Sequence, residues 1–170
     1  SRLRAMLIAP IQPAATGLGL AMRMGLIAEA LSRVAVLDVV ILPVAGTLSV
    51  PDDLLGRLGA TVHRIDLAGG GDTAVTLMSA VPDPAQRLEA FIRYGKPSLT
   101  GLVGPRLRTR IAALMAESDP DIVVIGRAYL AHLADLVPER ARVVVDLDED
   151  DMRSCASQAR SQPRTLSSGR

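Results

Sequence analysis

Several short stretches of this chain are almost wholly apolar, each about the length of one β-strand: LRAMLIA at 3–9, LDVVILP at 37–43, DIVVI at 121–125 and RVVVDL at 142–147. A strand that alternates polar and apolar residues can leave one face in water. A strand apolar at successive positions must be covered on both faces. Between these runs lie longer stretches with apolar residues at helical spacing. The alternation is that of βαβ units, and it predicts an α/β fold: a Rossmann-like open parallel sheet with helices on both faces.

Leu3–Ala9 is the first predicted strand. Thr16 can cap a helix from Gly17 to about Arg33, with Leu20, Met24, Ile27, Leu31 and Val34 turned to the sheet. Leu37–Pro43 is the second strand, ended by Pro43 and Gly46, and Pro51–Gly59 a short helix started by Asp52 or Asp53. Thr61–Asp66 is the third strand, and Ala68–Ser79, with three glycines near its centre, a connector. Asp83 and Pro84 supply an N-cap and a first-turn proline for a helix through Leu88, Phe91 and Ile92, which Gly95 stops. Pro105–Glu117 is a helix burying Leu107, Ile111, Leu114 and Met115, and Asp121–Ile125 is a central strand. Tyr129–Val137 is a helix and Arg142–Leu147 the last strand. Residues 1–151 thus form one Rossmann-like domain. Residues 152–170 lack apolar periodicity and form a polar C-terminal segment or the start of an interdomain connection.

At 170 residues, 49% hydrophobic and net charge +1, the chain has enough apolar mass for a core and no basic excess for nucleic acid. Aromatics are 2% of the residues, so stacking platforms for bases or sugars are scarce. Cys155 stands alone, which rules out an internal disulfide or a thiolate zinc site and fits a reducing cytoplasm. No apolar run reaches spanning length and no signal-peptide pattern precedes the first strand. The expectation is a soluble, cytoplasmic protein, with peripheral membrane contact left open.

Chemistry is expected at two places. The first is the loop PIQPAATGLG, which leads from the first strand into the first helix. A dinucleotide fingerprint needs a third glycine or alanine, where this chain has Met22, and an acidic residue ending the second strand, where it has none. Nicotinamide chemistry is therefore not favoured. What survives is a loop whose Gly17, Leu18 and Gly19 amides could receive an anion at the helix N-terminus, or whose glycines only permit close packing.

The second place is DLDEDD, Asp146 to Asp151. Ligands of open parallel sheets sit outside the carboxyl ends of the strands. Alternation puts Asp146 and Asp148 on one side. Such carboxylates can cap the next helix, bind sugar hydroxyls or hold a cation. Further ligands for a metal are not identifiable, so no metal is assigned. Arg127, after IVVIG, lies at another carboxyl-end loop and could pair with a phosphate or the acidic turn, or be a surface arginine; Arg23, one turn into the first helix and off its apolar face, could reach the glycine loop or form a surface salt bridge. His63 and His132 read as structural or exposed, and Cys155 has no activating partner in sequence.

The ordered set PIQPAATGLGLAMRMGLIAEAL, VVILP, PDIVVIGRAYLAHLADLVP and VVVDLDEDD resembles the N-terminal domain of GT-B glycosyltransferases, nearest the glycosyltransferase family 4-like group. The resemblance covers residues 3–152; the middle, 68–105, adds nothing to it. It implies the acceptor-binding half of an enzyme that transfers a sugar from a nucleotide-sugar donor, with a C-terminal donor-binding domain absent from this chain. Implied partners are a sugar, lipid or glycan acceptor and that second domain, and the donor is a substrate, not a bound cofactor. The helix arginine of the family matches Arg23, and its acidic turn matches Asp146, Asp148 and Asp150, with Asp148 the candidate catalytic group. The loop departs from the family by lacking a paired glycine followed by an acidic residue. The fragment alone is expected to be inactive and, with a cleft missing its facing half, to self-associate. The competing expectation is a free-standing Rossmann-like module that binds a nucleotide or a protein without catalysis.

Overall fold

A computed structural model describes residues 2–44, 53–95 and 98–147. Its centre is β1, Leu3–Ala9, whose Ala5–Ala9 segment is fully buried. The other strands are β2 (Ala35–Ile41), β3 (Thr61–Arg64), β4 (Ile122–Gly126) and β5 (Arg142–Asp146). They form one five-stranded sheet in the order β3-β2-β1-β4-β5, and every pairing is parallel. The fold is the Rossmann-like open α/β sheet that the apolar runs predict. The interior places of β1, β2 and β4 explain those runs: strands buried on both faces have no polar side to show.

The period of two divides the core into two layers. Ala5, Leu7, Ala9, Leu37, Val39 and Ile41 pack under α1 (Gly19–Val34) and Leu55 of the short α2 (Leu54–Arg57). Met6, Ile8, Val40, Val123 and Ile125 face the other way. There they meet Leu107, Ile111 and Met115 of α5 (Pro105–Ser118) and Leu130 and Leu133 of the 3-10 helix Ala128–Leu136. The connections β1-α1-β2-α2-β3 step one way across the sheet. The long excursion after β3 then returns the chain to the opposite side of β1. β1 and β4 therefore flank the point where the winding reverses, the usual ligand crevice of such sheets.

Several expectations change. Thr16 does not cap α1: Leu18 holds the cap position without a side-chain bond, and Gly17 at φ 104° keeps the chain out of the helix until Gly19. Val34 is 58% exposed, since the helix ends there and the chain turns directly into β2. Ala68–Ser79 is not all connector; Asp72 accepts a hydrogen bond from the Val75 amide and starts α3, Thr73–Ser79. Asp83 caps α4 (Pro84–Tyr94) through the Ala85 amide, as its place before proline predicts. No residue of α4 is fully buried, however, and Leu88 and Ile92 face outward. Asp53 sits at the α2 cap position without bonding the helix amides, and the predicted last helix is 3-10 rather than α. Gly46, Pro51, Asp52, Asp148, Asp150, Cys155 and the segment 152–170 lie outside the described residues. Among the described residues no helix is long and apolar enough to cross a membrane.

Candidate functional site

The loop from β1 to α1 has two halves. Pro10, Ile11, Pro13 and Ala14 are buried, and the Ala14 amide donates to the Ala21 carbonyl at 3.0 Å, which pins the loop against its own helix. Gly25 makes that possible: a Cβ there would collide with the Ala14 carbonyl oxygen. Residues 15–19 are then exposed at the carboxyl end of the sheet. α1 begins with no side-chain cap and no acidic residue in its first turn, so its leading amides and positive dipole end are offered outward. Gly17 is required for its conformation. Gly19 is not: a Cβ there would meet open space, so its absence is not a packing need.

Arg23 lies one turn along the same helix and reaches across to the last strand. Its Nε donates to Asp146 Oδ2 at 2.7 Å and its Nη2 to Oδ1 at 2.6 Å, a planar fork on a carboxylate. The Asp146 side chain is 11% exposed and that of Arg23 44%. The hydrogen bond from Arg23 holds the Asp146 carboxyl below its ordinary value of 3.8. Partial burial opposes that shift, and the charges of Arg23 and Arg127 add to it. Asp146 is therefore ionised and engaged at neutral pH. It positions a guanidinium.

Arg127 follows Gly126 at the end of β4, and its amide donates to the Asp146 carbonyl at 3.1 Å, closing the ladder between β4 and β5. Its backbone lies at φ 93°, ψ 141°, a region populated essentially by glycine. Gly126 before it is confined as well, since a Cβ would come within 2.5 Å of Met24 Sδ and 3.1 Å of Pro10 Cδ. The crossing of β1, α1 and β4 is thus as close as backbone allows.

Arg23, Arg127 and Asp146, far apart in sequence, meet at one end of the sheet, beside the loop carrying Gly17, Leu18 and Gly19. Arg64, at the end of β3, joins the same rim by donating to Gln12 Oε1 at 3.1 Å. Neither Gln12 nor Arg64 carries a sequence signal for this; only the parallel register brings them together. Asp148 and Asp150 fall outside the described residues. Among the described residues no group of His, Cys, Asp or Glu is arranged to hold a metal ion.

The carboxylate nearest in sequence to a ribose-binding acid, Asp38, lies elsewhere. It is buried within β2 and accepts a hydrogen bond from Ser118 Oγ, with Arg4 Nη2 at 3.7 Å and His63 Nε2 at 3.9 Å. Arg4 also donates to the Ser118 carbonyl. This network stands towards the amino end of the sheet and joins β1, β2, β3 and the end of α5. His63 is structural there. His132 is structural too: its Nδ1 lies 3.1 Å from the Tyr129 carbonyl, which fixes the proton on Nδ1 in the neutral ring, while Nε2 is buried without a hydrogen-bond partner. No family model, curated protein or solved structure matches this chain.

Proposed function

We propose that this chain is the acceptor-binding, N-terminal domain of a GT-B-type glycosyltransferase that uses a nucleotide-sugar donor. The observation that carries the reading is the convergence of Arg23, Arg127 and Asp146 with the open N-terminus of α1, at the carboxyl end where the winding reverses. One guanidinium forks the Asp146 carboxylate and a second lies within its electrostatic reach, next to exposed amides. That combination suits a phosphate better than a neutral ligand. In sugar transfer, negative charge develops on the leaving diphosphate, and fixed donors aimed at it lower the barrier without reorganising. Gly17, Leu18 and Gly19 would supply amides and Arg127 a charge, while Asp146 holds Arg23 in place. Asp148 remains the candidate base. A facing C-terminal domain would grip the nucleotide.

The test is turnover of UDP-, GDP- and ADP-sugars by the intact natural protein, beside residues 1–170 alone. Turnover by the intact protein, its loss in Arg127→Ala, and inactivity of the fragment are expected. Failure of the intact protein on all three donor classes would remove the transferase reading. Saturable nucleotide binding by the fragment in that case would support a free-standing binding module, which the two-sided core of residues 2–147 makes physically reasonable.

A further inference from the structure

The segment AYLAHLADL, Ala128–Leu136, repeats Ala-Xaa-Leu three times. Three residues per turn is the 3-10 period, so the helix stacks Leu130 and Leu133, both fully buried, in one row with Leu136. The same eclipsing sets Tyr129, His132 and Asp135 in a second row. Nine residues is long for this geometry, whose runs seldom pass about four. The segment also carries strain at its head, since Arg127, at its cap position, is the residue held in glycine-only backbone.

His132 sits mid-way along that helix and is tied to its first turn. Its Nδ1 donates to the Tyr129 carbonyl at 3.1 Å, and the next residue, Leu130, donates its amide to the Arg127 carbonyl at 3.1 Å. From α5, Arg108 Nη1 donates to the His132 carbonyl at 3.0 Å. His132 Nε2 is buried and has no hydrogen-bond partner among the described residues. A neutral ring tolerates that as an idle acceptor. A protonated ring does not, because Nε2–H becomes a charged donor with nothing to accept it. The charges that act on the ring are Arg108, which opposes protonation, and the exposed Asp135, which favours it. β4 and the 3-10 turn Leu99–Leu102 pack against the helix without a titratable side chain. β5 packs there too, but neither its Arg142 nor its Asp146 is among the charges the ring feels.

We propose that His132 is a proton switch for the carboxyl-end site: on taking up a proton its ring turns out towards water, the first turn of the helix loosens, and Arg127 relaxes from the backbone conformation in which it serves the site. The proposal rests on the anion-binding reading of that site. Burial holds the ring's pKa below 6.5, so the site is intact at neutral pH and is released only in acid.

Sulfate is the probe, because its charge does not change between about pH 5 and pH 8. Nuclear magnetic resonance of the full 170-residue chain follows the His132 ring and the Arg127, Ala128 and Leu130 amides over that range, with and without sulfate. The amides should shift together with the ring, at one midpoint below 6.5, and sulfate affinity should fall about three- to tenfold across it. His132→Asn can still donate to the Tyr129 carbonyl but takes up no proton, so it should abolish both changes and keep the affinity seen at neutral pH. Should it fail to fold by circular dichroism, His132→Leu takes its place. Amides that stay still while the ring titrates overturn the proposal, and so do shifts that persist in the folded variant. Sulfate that binds at no pH removes the anion site instead, and the joint titration of ring and amides then decides the switch alone.

Discussion

At the scale of single residues, Arg127 carries the clearest sign of a function that opposes stability. A non-glycine residue at φ 93°, ψ 141° costs about 1–3 kcal/mol and persists only where its surroundings enforce it. Arg127→Gly should therefore unfold about 1 kcal/mol harder in urea, and it should weaken the phosphate binding proposed for the site. A variant that is less stable would mean the arginine side chain holds the turn. His132 makes a second prediction. Burial lowers its pKa from 6.5, against the raising effect of the Tyr129 carbonyl, because protonated Nε2 would find no acceptor. The unfolded chain then takes up a proton before the folded one does. The stability this ring confers is complete above pH 6.5 and drains away as pH falls through the lowered value. Thermal melts of His132→Leu should lack that component, and an identical acid slope in variant and wild type would contradict it.

At the scale of elements, α1 is placed by what glycine lets approach it. Gly25→Ala would drive a methyl into the Ala14 carbonyl and should destabilise by about 2–3 kcal/mol, splaying the loop that presents Gly17. Gly19→Ala, in open space and helical conformation, should be neutral or stabilising by up to about 1 kcal/mol. Chemical denaturation of the pair separates packing from loop presentation. The elements were unequally legible in sequence. α5 and α4 announce themselves through Pro at the first turn, and α4 through its aspartate cap as well. The cap of α1 misleads, because Thr16 has the right chemistry but Gly17 breaks the path from it to the helix. α3 hides because its cap, Asp72, follows a glycine run that reads as loop.

At the scale of the whole molecule, one ion pair ties the first helix to the last strand. Arg23 and Asp146 are 123 residues apart, and their fork closes β5 onto α1. Because Arg23 is 44% exposed, its removal in Arg23→Ala should cost only about 1 kcal/mol, a drop of about 2–4 °C in melting temperature. The direction with pH is set by the depressed Asp146 carboxyl. The bond stabilises fully above pH 3.8 and is lost as pH falls through the lower folded value, so wild type and variant should converge in acid. Circular dichroism is the probe, since the chain has no tryptophan.

What the amino-acid sequence determined alone was the class of fold and most of its elements. Strands apolar on both faces must be interior, and period-two and period-3.6 patterns are local properties of the chain. It also singled out Arg23, Arg127 and Asp146 as separate polar residues near glycine turns or strand ends. Their meeting was decided by tertiary structure. It depends on β4 and β5 lying on the far side of β1 from β2, and nothing local encodes the order of strands in a sheet. The same reason kept the Asp38–Ser118–Arg4 network out of sight. In sequence Asp38 is a lone acid in an apolar run, and only the packing of α5 across the sheet brings the partners that make its burial tolerable.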